Sequence, residues 1–188
     1  MPENQECIEQ LKHVNEDGGL PLAASAEPVG PLPELGIRHE TFVISHYLAA
    51  SPHKAFQAFA DTAIWRRWFK LPGSDASYDH DFRVGHGDTA TSVFTSSEMP
   101  PESLRYQSRY IDIVPVRRIV YTYESVVDDV LRWTSLATIE FDAVHDGTQL
   151  RWTEQVVFVK LSGDGSHDLP HLRGATRLRL NGLLSALD

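Results

Sequence analysis

Residues 131–158, LRWTSLATIEFDAVHDGTQLRWTEQVVF, decide the fold of this chain. Apolar and polar residues alternate over 131–143 and again over 149–158, on either side of Asp146-Gly147-Thr148. A period of two indicates strands that bury one face. Asp-Gly between two such runs predicts a hairpin with a type I′ turn, because these residues tolerate the positive φ angles of that turn. The stretch therefore predicts two adjacent antiparallel strands with one dry side.

The register of this hairpin points one acidic side chain inward. Glu154 is in phase with Trp152 and Val156 on the second strand, and Trp133 shares the inner face from the first strand. A buried carboxylate is costly unless it is paired, which makes Glu154 a candidate general base or ligand anchor. A bulged position, or a register shifted by one residue, would instead turn it outward.

The sequence before the hairpin predicts five more strands and two helices. A strand over 41–48 precedes Ser51-Pro52, where a capping hydroxyl followed by proline predicts a helix start. Asp61 or Thr62 starts a second short helix, which Pro72-Gly73 ends. Alternation predicts the other four strands over 78–82, 88–95, 104–110 and 119–124.

A leucine-rich helix closes the chain. It begins near Asp168, with Pro170 just inside, and its apolar residues recur at helical spacing. That stripe consists of Leu172, Thr176, Leu180, Leu183, Leu184 and Leu187. The order β-α-α-β6-α predicts an α+β fold, in which a helix closes an antiparallel sheet and can hold a small ligand against it.

Composition and charge narrow the class of protein. The 188 residues, 41% of them hydrophobic, fit one domain with a tail. A net charge of −9 argues against a nucleic-acid partner, and no apolar run approaches the roughly 18 residues needed for membrane insertion. One cysteine, Cys7, excludes an internal disulfide, and the first residues carry no secretory signal, which indicates a cytoplasmic protein.

Proline and glycine are dense in the first 36 residues. Such a composition breaks regular structure and predicts a poorly ordered N-terminal tail over 1–36, before a single domain over 37–188. Docking of the tail on the domain or on a partner is the alternative.

Six short motifs, in this order and spacing, resemble a known superfamily. They are ASPHKAF at 50–56, WRRWF at 65–69, DFRVG at 81–85, VPVRRIVY at 114–121, DGTQL at 146–150 and Arg173-Gly174. Over about residues 38–187 the chain resembles the START-like, Bet v 1-like (SRPBCC) superfamily, and in particular bacterial homologues of the C-terminal domain of the activator of Hsp90 ATPase.

The resemblance implies a helix-grip fold, in which a curved antiparallel sheet wraps around a long C-terminal helix with an internal cavity. Members of the superfamily include lipid carriers, polyketide cyclases, hormone receptors and co-chaperones, so the fold does not fix one activity. A chaperone partner follows for this chain only by family analogy.

Aromatic side chains on the predicted inner face indicate a small-molecule site, because phenols and indoles bring polar tips into an apolar wall. The alternative is that these rings only fill the core. The predicted ligand-binding residues are Trp65, Trp68, Phe69, Tyr78, His80, Tyr106, Tyr110, Tyr121, Tyr123, Trp133, Trp152, Glu154, Thr176 and Leu180.

Two further side chains have open roles. His80, between Tyr78 and Phe82, is either an acid–base group or a hydrogen-bonded wall residue. Arg179, at the edge of the helical stripe, is expected to be solvated, and the alternative is pairing with an acidic ligand or with Glu154.

The sequence predicts no metal site, no cofactor and no catalytic residue. His167 and His171 are four apart, but a zinc site needs further ligands. The glycine-rich turns match no phosphate loop, and Cys7 has no local base.

The leading hypothesis is therefore binding of a small hydrophobic or aromatic molecule without turnover. A cyclase- or hydrolase-type enzyme that uses Glu154 or His80 is the first alternative, and a co-chaperone-like interaction protein is the second. A homodimer would cover a sheet edge or the helix.

Overall fold

A single antiparallel sheet organises the part of the chain that the computed structural model describes, residues 36–97 and 100–187. Its seven strands lie in the order β1-β7-β6-β5-β4-β3-β2. The strands are β1 (Arg38–Leu48), β2 (Ser74–Asp79), β3 (Thr89–Phe94), β4 (Glu102–Val114), β5 (Arg118–Val127), β6 (Val130–Val144) and β7 (Gly147–Phe158). The helices are α1 (Pro52–Ala60), α2 (Thr62–Trp68) and α3 (Asp168–Leu187).

This element order confirms the predicted α+β, helix-grip fold, with a curved sheet and a long C-terminal helix. The predicted tail over 1–36 falls almost wholly outside the described residues, so the tail stays a prediction.

Local capping explains where the first two helices begin. The Ser51 hydroxyl accepts a hydrogen bond from the Lys54 backbone N–H at 3.3 Å, with Pro52 at the first helical position. Asp61, rather than Thr62, caps α2, since one carboxylate oxygen accepts from the backbone N–H groups of Ala63 and Ile64 at 2.8 and 3.0 Å.

The predicted hairpin of β6 and β7 is confirmed, but its type I′ turn is wrong. Val144 pairs with Gly147, so the loop is His145-Asp146, and neither loop residue has a positive φ. Gly147 serves close packing instead: a Cβ there would lie 2.2 Å from the Leu48 carbonyl oxygen of β1. Glycine is therefore needed because the backbone of another strand approaches closely.

Two positive φ angles in a row occur one hairpin earlier. Asp128 and Asp129, with φ of 49° and 60°, connect β5 to β6 between the paired residues Val127 and Val130. A two-residue loop with positive φ at both positions matches a type I′ turn. The Asp128 carboxylate also accepts from the Ser103 backbone N–H at 2.8 Å, which ties this turn to β4.

The predicted strand over 78–82 is displaced, because the observed strand β2 begins at Ser74 and ends at Asp79. Pairing with β3 ends at Asp79, opposite Thr89, and His80 already lies outside the sheet. The chain then folds back through a turn in which the Arg83 backbone N–H donates to the Asp81 carbonyl at 2.9 Å. The burial of His80 thus comes from its packing against the helices and not from strand alternation.

The core lies between the inner face of the sheet and the three helices. Edge-to-face ring contacts join α1 to β6, with the rings of Phe56 and Phe59 at 5.7 and 5.5 Å from that of Phe141. The Trp68 indole N–H donates to the Ala58 carbonyl at 2.8 Å, which fixes α2 against α1. Helix α3 buries Leu172, Thr176, Leu180, Leu183, Ala186 and Leu187. Leu184 of the predicted stripe is partly buried.

Candidate functional site

The predicted site residues gather on the inner side of the sheet. The buried ones are Trp65, Trp68, Phe69, Tyr106, Tyr110, Tyr121, Tyr123, Trp152, Glu154, Thr176 and Leu180. Tyr78 and Trp133 are partly buried against the same core, and the His80 side chain is 1% exposed. The structure thus brings these side chains to one region, where two separate polar clusters lie among aromatic rings.

Glu154 is the centre of the first polar cluster. It is fully buried on β7, opposite Phe42 of β1 and Ala137 of β6, as the register of the hairpin predicts. The Tyr123 hydroxyl donates to Oε1 at 2.5 Å, and the Trp152 indole N–H donates to Oε2 at 2.9 Å. Both carboxylate oxygens therefore accept from neutral donors.

Tyr123 links Glu154 to the neighbouring strand. Its hydroxyl oxygen accepts a long hydrogen bond of 3.4 Å from the Trp133 indole N–H while its own proton goes to Glu154. Burial, followed by the adjacent Glu154 charge, raises the pKa of Tyr123 well above its ordinary value. The phenol accordingly stays protonated and acts as a donor.

A row of phenol rings runs from this cluster across β4 and β5. The ring centroids of Tyr106 and Tyr123 are 5.1 Å apart, those of Tyr121 and Tyr123 are 6.1 Å apart, and those of Tyr110 and Tyr121 are 5.8 Å apart. Strand alternation places all four rings inward. Burial is the main cause that raises the pKa of each of these phenols, so they are neutral donors at physiological pH.

Asp88 is the centre of the second polar cluster, and the sequence prediction missed it. Its Oδ2 accepts from the Tyr110 hydroxyl at 2.6 Å, and its backbone N–H donates to Ser108 Oγ at 2.8 Å. Its Oδ1 is buried without a hydrogen-bond partner among the described residues and lies 3.9 Å from His80 Nε2. Desolvation by burial raises the pKa of Asp88 to about 6.

A signal for Asp88 is present in the sequence. The glycines of 85–88 mark a turn, yet Asp88 is in phase with Ala90 and Ser92, the two fully inward residues of β3. Gly87 completes the arrangement, because a Cβ there would lie 1.8 Å from the Ser108 carbonyl oxygen. Only a glycine lets the chain enter β3 this close to β4 and so carry Asp88 inside.

The geometry of His80 fits a hydrogen-bonded wall residue. Its ring stacks on Trp65 with centroids 4.6 Å apart, Nε2 lies 3.0 Å from the Phe59 carbonyl, and Nδ1 lies 2.9 Å from Thr62 Oγ1. A carbonyl can only accept, so we assign the proton to Nε2 and let Nδ1 accept from the threonine. Burial is the largest cause that lowers the pKa of His80. Both ring nitrogens are occupied, and none of these partners is shared with Glu154.

Arg179 does not lie at a solvated helix edge, contrary to the expectation from the sequence. The side chain is half-buried, and its guanidinium carbon lies 5.0 Å from the ring centroid of Phe69 and 5.9 Å from that of Tyr106. These distances are those of cation–π contacts. The helix therefore presents a positive charge to the aromatic wall.

Two depressions lie on the outer face of the sheet, and none of the predicted site residues lines either of them. The larger, of about 530 Å³, lies over β1, β7, β6 and β5 and is lined by residues such as Thr41, Thr122 and Gln155. The smaller, of about 250 Å³, lies over β3 and β4 and includes Asp75 and Asp129.

Two other kinds of site find no support within residues 36–97 and 100–187. No three His, Cys, Asp or Glu side chains there converge in a way that could hold a metal ion. No helix in those ranges has the length and apolar character needed to cross a membrane.

Comparison with known proteins relates the chain to one family. The family described as "Activator of Hsp90 ATPase homolog 1-like protein" matches residues 49–171. No curated protein matches the chain significantly. Among solved structures, protein Mll3558 of Rhizobium loti is 33% identical over 80% of this chain and 98% of that protein, with a TM-score of 0.65.

Two further structures extend this comparison. A protein of Rhizobium leguminosarum is also 33% identical, over 80% of this chain and 95% of its own, with a TM-score of 0.67. Protein CV1439 of Chromobacterium violaceum, at 21% identity, covers 78% of this chain and 96% of its own with a TM-score of 0.59, which supports the fold alone.

Proposed function

The chain belongs to the family of activator of Hsp90 ATPase homolog 1-like proteins, and from that premise we propose that it binds a small hydrophobic or aromatic molecule without turning it over. The ligand lies on the inner face of the sheet beneath α3, with its apolar body against the phenol and indole rings.

The fully buried Glu154 is the observation that supports this function best. Removing a carboxylate from water costs several kcal/mol, and an apolar side chain of similar size would fill a core without that penalty. In the described part of the chain Glu154 takes part in no ion pair, and its two hydrogen bonds come from neutral groups. An ionised carboxylate offers about four acceptor positions, so Glu154 retains capacity for a donor supplied by a ligand.

The surrounding rings suit a flat apolar molecule. Tyr121 meets Trp152 edge-to-face at 6.0 Å, and Tyr106 lies over Tyr123 at 5.1 Å beside the carboxylate. Mostly apolar walls with a few placed polar groups are typical of small-molecule sites. The preferred ligand therefore combines an aromatic or aliphatic body with one hydroxyl or amine that can donate to Glu154.

A matched pair of probes tests this proposal. Native mass spectrometry and fluorescence titration are carried out with 1-naphthol and with naphthalene, which lacks the donor. We expect 1-naphthol to bind more tightly, to be recovered unchanged, and to lose about tenfold in affinity on Glu154→Gln, the cost of one charge-assisted hydrogen bond. Glu124→Gln, an exposed change on β5, serves as the control. If neither 1-naphthol nor naphthalene binds to the protein, the proposal fails.

An enzyme of cyclase or hydrolase type is the second candidate function. Asp88 is a better candidate for its acid–base group than His80, which the sequence predicts. A carboxyl whose pKa is about 6, with one buried oxygen that has no hydrogen-bond partner among the described residues, has the properties of an acid–base group. Incubation of the protein with a bound ligand tests this candidate. A product mass formed by the natural protein and not by Asp88→Asn would establish turnover, and unchanged ligand in both would exclude it for that ligand.

Other expectations from the sequence stay predictions. A chaperone partner rests on the family description alone. The homodimer and the cytoplasmic location have no direct support in the described residues.

A further inference from the structure

Arg179 is a cation on the inner side of α3. In the described ranges it makes no ion pair, and its contacts are the faces of Phe69 and Tyr106. A guanidinium stacked on rings is held in one orientation while its N–H groups stay free to donate. Such a group suits bidentate recognition of a carboxylate.

Thr176 offers a second donor beside it. The residue is 1% exposed, and within the described residues its Oγ1 is buried without a hydrogen-bond partner. Residues three apart on a helix are neighbours on its surface, so Thr176 and Arg179 share one side of α3. A buried hydroxyl without a partner is uncommon, and either a water or a polar group of a ligand would satisfy it.

The charges of Arg179 and Glu154 have opposite effects on the pKa values of the same two phenols. Burial is the largest cause that raises the pKa of Tyr106 and of Tyr123, and the negative charge of Asp88 adds to it at Tyr106. The negative charge of Glu154 also raises both pKa values, while the positive charge of Arg179 lowers both. The inner side is therefore polarised, with a cation on the helix and a carboxylate on the sheet. An elongated ligand would be oriented by that difference.

We propose that the ligand is an apolar carboxylate whose anionic group is bound by Arg179 and Thr176. Its apolar body lies against Phe69 and Tyr106, and any donor at its far end reaches Glu154. This assignment rests on the proposed function and adds the charge and the orientation of the ligand to it.

The test compares 1-naphthoate with naphthalene, which differ only in the carboxylate. We expect natural protein to bind 1-naphthoate at least tenfold more tightly, since its carboxylate accepts charge-assisted hydrogen bonds that naphthalene cannot make. Arg179→Gln is expected to abolish that preference while the affinity for naphthalene changes less than about twofold, and Thr176→Val is expected to reduce it severalfold. Arg179→Lys keeps the charge, loses the planar fork, and should give an intermediate affinity.

The control is Arg173→Gln, which removes an exposed charge from the same helix and should leave both affinities unchanged. Near-UV circular dichroism establishes that each variant is folded. If both probes bind equally well, or if Arg173→Gln lowers 1-naphthoate affinity as much as Arg179→Gln, the carboxylate assignment is overturned and the proposed function stands. If 1-naphthol binds and neither of these two probes does, the carboxylate assignment is likewise overturned, and if 1-naphthol also fails to bind, the proposed function itself fails.

Discussion

At the scale of single residues, the interior contains two buried carboxylates, each of which accepts a hydrogen bond from a phenol. Tyr123 donates to Glu154 at 2.5 Å, and Tyr110 donates to Asp88 at 2.6 Å. Each carboxylate lowers the cost of burying the phenol and the phenol lowers the cost of burying the carboxylate. The loss of either donor therefore leaves a buried acceptor only partly satisfied.

Tyr123→Phe should destabilise the protein by about 1–3 kcal/mol, because it removes a donor from a buried carboxylate and leaves the ring in place. Equilibrium unfolding in urea measures the change. Tyr47→Phe is the matched control, since that phenol is exposed and donates to the Asp146 carbonyl at 2.8 Å. The free energy of unfolding of this control variant should fall by no more than about 0.5 kcal/mol. Equal losses in the two variants would contradict the role given to Tyr123.

Asp88 should make the folded state less stable as pH rises from about 4 to about 6. The ordinary pKa of an aspartate is 3.8 and that of Asp88 in the folded protein is about 6, so the folded state holds the proton more tightly and stability falls as the proton is lost. The shift corresponds to about 3 kcal/mol.

The lowered pKa values of His80 and His46 act in the opposite direction, because the unfolded state takes up those protons first as pH falls below about 6.5. The difference in stability between the natural protein and Asp88→Asn removes the contribution of His46 and most of that of His80, whose Nε2 lies 3.9 Å from the Asp88 carboxylate. Thermal unfolding between pH 4 and pH 7 measures this difference in stability. As pH rises, the Asp88→Asn variant should become more stable relative to the natural protein. A difference that does not change with pH would show that Asp88 titrates normally.

At the scale of elements, close backbone approach decides where glycine is needed. Gly147 starts β7 with no space for a side chain beside the Leu48 carbonyl, whereas Gly174 in α3 has nothing within 4 Å of an added Cβ. The sequence pattern marks Gly147 correctly as a special position but for the wrong reason. The type of a turn depends on the φ angles of its loop residues, and strand alternation does not specify those angles.

The two glycines should respond in opposite ways to alanine. Gly147→Ala should cost about 1–3 kcal/mol or more, because the clash is with backbone and cannot be relieved by a side-chain rotation. Gly174→Ala should stabilise the protein by up to about 1 kcal/mol, since alanine is the better helix former. Urea unfolding of both variants measures the contrast. Stabilisation by Gly147→Ala would mean that β1 and β7 are not packed as described.

At the scale of the whole molecule, periodicity is sufficient to predict the order of elements and the inward position of Glu154. Both depend on local alternation and on a hairpin with a short loop. Alternation cannot predict which side chains from distant parts of the sequence form hydrogen bonds or ring contacts with one another. Phase alone assigns His80 to the site, and its partners are Phe59, Thr62 and Trp65 of the first two helices. The burial of Arg179 and Asp88 arises from tertiary packing, so local patterns underrate both.

The indole N–H resonance of Trp152 provides the most direct test that a small molecule binds beside Glu154. This proton is donated to Glu154, so a ligand at the carboxylate must perturb it. We predict that titration with 1-naphthol shifts the indole signals of Trp152 and Trp133 and leaves in place the side-chain methyl signals of threonines that line the outer-face depression, such as Thr41 and Thr122. Shifts confined to the outer face, or no shifts at a saturating concentration, would contradict an inner-face site.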